Sequence, residues 1–253
     1  MSPVYVAGVG VTPFGRHLER PVHELARDAL ESTLRDAGCR ASDLDAAFYS
    51  GITQGFLQGQ VAIPGHVVFS KIGIHSIPIY NVESACASGG TAFHLAVQTL
   101  RGGSSDVAVV LGAEKMNVLD KARTLSLFDA GWDVSRSDEY QQLLARMAEG
   151  LALPAGCETR TPASTFMAIA AGLCRLHMKS YGTTQRQIAA VSAKNHGHSV
   201  FNPNAQLRKA LSIDEVLAAP SIVYPLTAPM CAPLSDGAAA AILCTEDGLA
   251  RIG

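Results

Sequence analysis

Several features that would assign a chain to a familiar class are missing from these 253 residues. No apolar run approaches the roughly 18–20 residues a membrane helix needs, and no basic stretch leads into an apolar core and cleavage site at the start. A soluble, cytoplasmic protein is therefore expected. Charge of neither sign dominates: 20 Lys and Arg face 22 Asp and Glu, a net charge of −2. No global field exists to attract nucleic acid or an anionic membrane, so neither is expected as a partner. The six cysteines, Cys39, Cys86, Cys157, Cys174, Cys231 and Cys244, stand singly, without a CxxC pair or the spacing of a disulfide framework or zinc knuckle. Reduced thiols follow, most of them packed as small hydrophobes. The glycines of VAGVGVTPFG (Val6–Gly15) stop short of a dinucleotide loop, because the third glycine of GxGxxG and the acidic ribose partner are absent. The chain also lacks internal repeats and low-complexity segments.

What is present reads as an ordered α/β chain, at 48% apolar and 17% charged residues. Up to about residue 115, strand-like and helix-like stretches alternate at the pace of βαβ units, which predicts a mostly parallel sheet covered on both faces. The strand candidates are Val4–Gly10, Ala46–Ser50, Pro78–Ala85 and Asp106–Gly112, the last a near-continuous apolar run suited to a central strand. Helices are expected at His23–Ala37, stopped by Gly38, and around Gln60–Lys71. A third, Cys86–Arg101, places Phe93, Ala96, Val97 and Leu100 on one face and stops at Gly102-Gly103.

From Val118 the texture changes. Leu119–Thr161 has no clean period and carries Asp129, Asp133, Arg136, Asp138, Glu139 and Arg146, either as a charged surface loop or as contacts to phosphates. Helices follow at Ala163–Tyr181, with Pro162 near the first turn, and at Gln185–His196, opened by the capping box of Thr184 and Gln187. A shorter helix has Ser212 as its cap and Glu215 three residues on, and Pro233–Cys244 (PLSDGAAAAILC) turns into another buried strand. His196 and His198 form an HxH pair, but on a helix they face apart and lack companions, so no metal is expected. His66, His75 and His94 lie near Cys86 in sequence without a spacing that implies catalysis; His94 is expected to be packed.

Cys86 has the most informative surroundings. The strand Pro78–Ala85 runs directly into a helix through ACASGG, Ala85–Gly90. A nucleophile there sits at the carboxyl end of a parallel strand and the amino end of a helix, where unpaired N–H groups and the helix dipole favour an anion and can hold an oxyanion. A buried cysteine at a tight junction would show the same pattern.

The segment NVESACASGGTAFHLAVQTLRGGSSDVAVVLGAEKM (Asn81–Met116) resembles the nucleophile region of the thiolase superfamily, in particular the sterol-carrier-protein type. Three later segments resemble the same group in the same order: His177–His196, Asn202–Lys209 and Pro233–Leu243. The resemblance implies a thiolase-like βαβαβαβ core from 1–117 and 226–253, and an inserted, mainly helical loop domain from 118–225 that covers coenzyme A. It implies Claisen-type acyl transfer on 3-oxoacyl-CoA, in fatty-acid or sterol side-chain metabolism, with Cys86 as the catalytic nucleophile. Coenzyme A is then a substrate, and no tightly bound cofactor is expected. Met116 matches a position at the substrate pocket wall, although ordinary packing at a strand end accounts for it equally well. Family members continue into a similar second half that supplies a histidine and a second cysteine in a CxG motif. The C-terminal half of the fold is not present in this chain, so a longer polypeptide or a partner chain is expected to supply them, and Phe93, Ala96, Val97 and Leu100 to be left facing a missing neighbour.

The resemblance further implies a homo-oligomer paired through the strand before Cys86, and it admits a zinc-ribbon/OB-fold acyl-CoA-binding partner. Two other functions stay open: a thiolase-like retro-aldolase, against which the retained Cys86 argues, and a non-catalytic acyl-CoA or lipid-binding subunit.

Overall fold

In the computed structural model, residues 2–147, 153–157 and 164–253 are described. Along the chain the elements are β1 (Tyr5–Val11), α1 (Val22–Ala37), β2 (Ala46–Ser50), α2 (Thr53–Gln58), α3 (Pro64–Lys71), β3 (Ile79–Val82), α4 (Ser88–Arg101) and β4 (Val107–Lys115). Then come α5 (Lys121–Leu127), α6 (Ser137–Met147), α7 (Thr165–Tyr181), α8 (Gln185–Ser199), α9 (Ile213–Ala218), β5 (Ser221–Val223), β6 (Leu226–Thr227), β7 (Asp236–Cys244) and α10 (Glu246–Ile252). Two compact units result, one made of the residues up to Leu119 together with Leu234–Gly253, the other of Asp120–Pro233. No helix among the described residues is long and apolar enough to cross a membrane.

The first unit is a five-stranded sheet in the order β1-β7-β4-β2-β3. β3, β2 and β4 are parallel, and β7 runs antiparallel to both β4 and β1. The sheet is thus mixed, with its reversed strand second from one edge. β4 is sealed on both faces, and Val107, Val109 and Leu111 have no exposed surface. Its alternation sends Val107, Val109 and Leu111 toward a core shared with Leu25, Ala29 and Phe69 of α1 and α3. Ala108 and Val110 point to the opposite core, with Phe48, Ala92, Ala96 and Leu100.

Gly8 and Gly10 serve this packing. A Cβ at Gly8 would meet the Ala37 backbone at 2.5 Å, and one at Gly10 would meet the Ala29 carbonyl oxygen at 2.5 Å. They let α1 lie directly on β1. Gly38 ends α1 in the left-handed conformation, its N–H bonded back to Arg35.

α4 departs from expectation in the face it buries. Ala92, Ala96 and Leu100 form the buried stripe, Val97 packs beside it, and Phe93 is exposed. Small residues at 92 and 96 bring the helix close to the sheet, and the larger Phe93 is turned away from that contact. Phe93, Ala96, Val97 and Leu100 are therefore not one uncovered face. The bare apolar surface lies elsewhere, on Val6, Val9 and Val11 of β1 beside Ala239 of β7. Val11 pairs with Ala239 and Val9 with Ala241, so these side chains share the face that α4 covers only over its neighbours.

The region around Gln60–Lys71 also differs. It holds α3 alone, while α2 lies upstream and ends at Gly59, in the left-handed region. In the second unit, the stretch expected to be irregular carries α5 and α6. Asp133 caps a turn through Ser135, and Arg136 pairs with Glu139 at 2.5 Å on the surface, so these charges satisfy one another locally. α7 is capped by Ser164, while Pro162 and Ala163 lie outside the described residues. The Thr184–Gln187 and Ser212–Glu215 capping boxes are both formed. His196 directs Nε2 at the Pro229 carbonyl, 3.2 Å away.

Gly10→Ala forces a methyl into the α1 backbone and should lower unfolding stability by about 1–3 kcal/mol. Gly15→Ala, whose nearest neighbour would be the His17 ring at 3.4 Å, should change it little. Equal effects in chemical denaturation would contradict this account of the glycine run.

Candidate active site at the carboxyl end of the sheet

β3 ends at Val82, and α4 begins at Ser88. The turn between them is stitched by its own polar groups. Ser88 Oγ accepts from Ser84 N at 2.8 Å and donates to the Ala85 carbonyl at 2.6 Å, and Glu83 Oε1 accepts from Ala85 N at 2.6 Å. These bonds hold Ala85 at φ 46°, a left-handed conformation that costs a non-glycine residue of order 1–3 kcal/mol. Ala87 N and Ser88 N close on Ser84 and Ala85 at 2.9 and 3.1 Å. The strained turn presents Cys86, which among the described residues is the one exposed cysteine. A Cβ on Gly90 would meet nothing within 4 Å, and one on Gly89 would reach only Ser50 Oγ at 3.9 Å, so the approach past these glycines is open.

Cys39 and Cys244 are buried, and Cys157, Cys174 and Cys231 are half-buried. Burial pushes Cys39 and Cys244 upward from the ordinary thiol value, and does the same to Cys174 and Cys231. Cys231 sits against the Thr227 carbonyl at 3.5 Å.

β4 delivers Glu114 and Met116 to the same end of the sheet. Met116 directly follows the strand and is half-buried, and the order β4-β2-β3 sets the ends of β4 and β3 two strand spacings apart, roughly 10 Å. Glu114 is a residue that sequence reasoning missed. Its Oε1 accepts from Ile52 N at 2.9 Å and from Thr53 N and Oγ1 at 3.2 Å, which moors the loop entering α2. Glu114 falls inside the GAEKM segment, yet its partners lie some sixty residues upstream and no local spacing announces them. Burial raises its carboxyl above the ordinary value, against the pull of those hydrogen bonds.

His66 meets Asn81 at 3.3 Å, on the far side of β3 from the helix. His94 is exposed on α4 rather than packed, because its position lies off the Ala92–Ala96–Leu100 stripe. His75 is exposed in the loop before β3.

The family model "Thiolase, N-terminal domain" matches residues 4–217. The chain belongs to the thiolase family. It is 31% identical over 98% of its length to an acetyl-CoA acetyltransferase of Methanothermobacter thermautotrophicus, covering 58% of that protein. It is 34% identical over 98% of its length to sterol carrier protein 2 of Gallus gallus, covering 42% of it. A benzoylsuccinyl-CoA thiolase subunit BbsB of Thauera aromatica shares 30% over 99% of this chain and 57% of its own. The chain thus spans about half the length of these curated relatives. Among solved structures, the Ltp2-ChsH2(DUF35) aldolase superposes with a TM-score of 0.69 at 22% identity over 98% of this chain and 56% of that one. An acetyl-CoA acetyltransferase from Syntrophomonas wolfei gives 0.67 at 17% over 100% and 67%. These two likenesses establish the thiolase fold.

Limited alkylation at neutral pH should modify Cys86 before the other thiols, with Cys39 and Cys244 slowest. Peptide mapping that finds Cys231 or Cys244 modified first would overturn the site.

A carboxyl raised by folding contributes stability that is present at low pH and lost as pH climbs through its raised value. Glu114→Gln keeps an oxygen for Ile52 and Thr53 and does not ionise. Its stability relative to the native chain should therefore rise as pH climbs above the ordinary carboxylate value of about 4, read as the difference in denaturation midpoints. A difference independent of pH would refute the assignment.

Proposed function

We propose that the chain carries the nucleophile of a thiolase-type acyl-CoA C-acyltransferase, with Cys86 as the attacking group. The observation that carries this reading is the exposed Cys86 thiol on a strained strand-to-helix turn with glycine-lined access. The thiolate adds to the 3-keto carbon of a 3-oxoacyl-CoA, and the bond from that carbon to C2 breaks. The electron pair leaves on C2 as the enolate of an acyl-CoA, which takes up a proton. The acyl group, now a thioester on Cys86, passes to the thiol of a second coenzyme A, and the reverse sequence forms the carbon–carbon bond. The first-turn amides of α4 are suited to hold the oxyanion. Met116 contributes to the substrate wall at the end of β4. No cofactor is held tightly, and coenzyme A enters as substrate.

The proton transfers belong to a histidine and a cysteine supplied by further polypeptide or a partner chain. The uncovered strip of Val6, Val9, Val11 and Ala239 supports this, because it offers such a neighbour an apolar seat. β3, an edge strand, pairs with a second copy in a homo-oligomer. A partner of the DUF35 kind, named with the aldolase neighbour, is compatible with that assembly. The protein works in the cytoplasm.

The aldolase likeness also favours a second reading, lyase chemistry on a CoA thioester, and the sterol carrier protein 2 relatives favour a third, an acyl-CoA or lipid-binding subunit.

Incubation with acetoacetyl-CoA followed by intact-mass measurement should reveal an acyl adduct that maps to Cys86 and is absent from Cys86→Ser. Saturable binding without any adduct would sink acyl transfer and favour the binding subunit.

A further inference from the structure

The balanced total charge hides a local imbalance in the second unit. No Asp or Glu occurs between 159 and 213, although the chain holds 22 of them, and the same stretch carries Lys194, Arg208 and Lys209 on and just beyond α8. The next acids along the chain are already engaged. Asp214 pairs with Arg186 at 2.6 Å, and Glu215 accepts from Ser212 N at 2.8 Å in the cap of α9. Hydrogen bonds with Ser212 hold the Glu215 carboxyl below its ordinary value, and Lys209 adds a smaller pull. Among the described residues no salt bridge engages Lys194, Arg208 or Lys209, and all three are exposed.

α8 sorts its residues between two sides. Ala189, Ser192 and His196 face inward, where Ser192 Oγ donates to the Pro229 carbonyl at 2.7 Å and His196 Nε2 reaches the same oxygen. Gln187, Val191, Lys194 and His198 recur at helical spacing on the opposite side, and all four are exposed. This stripe runs out onto a hydrogen-bonded turn. Phe201 N bonds to the His198 carbonyl at 3.1 Å, Ala205 N to the Asn202 carbonyl at 3.2 Å, and Asn202 Oδ1 accepts from Asn204 N at 3.0 Å. Phe201 is 85% exposed at the tip, and Arg208 donates to the Val200 carbonyl at 3.5 Å, which sets its guanidinium at the base of that tip. Val191 and Leu207 add exposed apolar surface.

An aromatic ring held outward by an ordered turn, with cations around its base and no carboxylate among them, has the makings of an interfacial anchor. Phe201 protrudes instead of lining a groove, so it suits a deformable surface better than a fitted peptide. A nucleic acid would need several aromatic faces for its bases, and Val191 and Leu207 offer none. The net charge of −2 gives no long-range field for a polyanion, whereas a bilayer needs only a few cations at the point of contact. Total charge, which argued against an anionic membrane, is the wrong measure for a contact this small. We propose that the end of α8 and the turn after it dock the protein peripherally on anionic phospholipid, with Phe201 inserted at headgroup level and Lys194, Arg208 and Lys209 on the phosphates. This docking is independent of the reading of Cys86, since none of these residues belongs to the nucleophile turn.

The test sediments the chain with vesicles of phosphatidylcholine alone and of an equal mixture with phosphatidylserine, at low and at raised salt. Partition onto the mixed vesicles should exceed that onto phosphatidylcholine at least about tenfold and fall as salt rises. Phe201→Ala should weaken it about tenfold. Lys194→Gln, Arg208→Gln and Lys209→Gln together should weaken it about a hundredfold, at roughly fivefold per cation. All four side chains are exposed, so denaturation midpoints should stay at the native value. Phe201→Trp should add an indole emission that shifts to the blue on mixed vesicles, a shift absent from the native chain, whose single Trp132 lies outside the patch. Equal partition onto both vesicle types, or partition that Phe201→Ala and the triple variant leave untouched, overturns the proposal. Binding of single-stranded oligouridylate that the triple variant abolishes, with neither vesicle bound, overturns it as well and gives the patch to nucleic acid.

Discussion

The first unit is organised around a buried carboxylate. Asp236 has no exposed surface, and a bare charge in that position would be strongly destabilising. It is instead surrounded by donors: His17 N at 2.9 Å, Asn117 N at 2.8 Å, Asn117 Nδ2 at 3.2 Å and the Lys115 ammonium at 3.5 Å. Lys115 also donates to the His17 carbonyl, so both members of the ion pair are tied to the same loop. These bonds join the exit of β1, the end of β4 and the start of β7. They fix where the chain leaves the sheet for the second unit and where it returns. Met116 lies between Lys115 and Asn117, inside this knot, and takes its position at the sheet's end from the same carboxylate.

Strain collects at that end as well. Ala85 and Ile63 both adopt left-handed backbone without being glycine, Ala85 in the turn before Cys86 and Ile63 at the entrance of α3. The sheet itself is regular, with β4 paired residue for residue to β7 from Val107 to Lys115. A rigid, desolvated strand array can support such turns because the compensating contacts lie in its core. Glu83 and Glu114 each brace one of the adjoining loops, Glu83 through Ala85 N and Glu114 through Ile52 and Thr53. The division of labour is clear: apolar burial fixes the strands, and two carboxylates fix the loops beside Cys86.

The parts that sequence patterns conveyed were those whose cause is local. Gly38 stops α1, the capping boxes of Thr184 and Ser212 open their helices, and the apolar run of β4 marks a strand buried on both faces. The direction of β7 was not readable, since an alternating strand has the same pattern whichever way it runs. α2 was missed because TQGFLQ is one and a half turns long and interrupted by glycine, and its entrance depends on a carboxylate brought from β4. The buried face of α4 was misjudged by favouring large side chains, where close packing selected Ala92 and Ala96. Cys86 stood out through its strand-to-helix context. Glu83 did not, because its bond to Ala85 N acquires meaning only once the turn has formed.

The two faces of the sheet carry the last consequence. On the α1 face, β7 contributes Ala238, Ala240, Ile242 and Cys244, all buried. On the α4 face it presents Ala239 and Ala241 beside Val11 and Val9 before reaching the buried Leu243. An alanine strip bordered by valines is a shallow apolar groove that lets a helix approach the strand as closely as α4 approaches its own strands over Ala92 and Ala96. Had this surface evolved to face water, polar residues at 239 and 241 would maintain the strand equally well, as edge and half-exposed strands elsewhere commonly do. The methyl groups there argue that the face is shaped for a further helix layer. α4 would then be enclosed on its outer side as it is on its inner one.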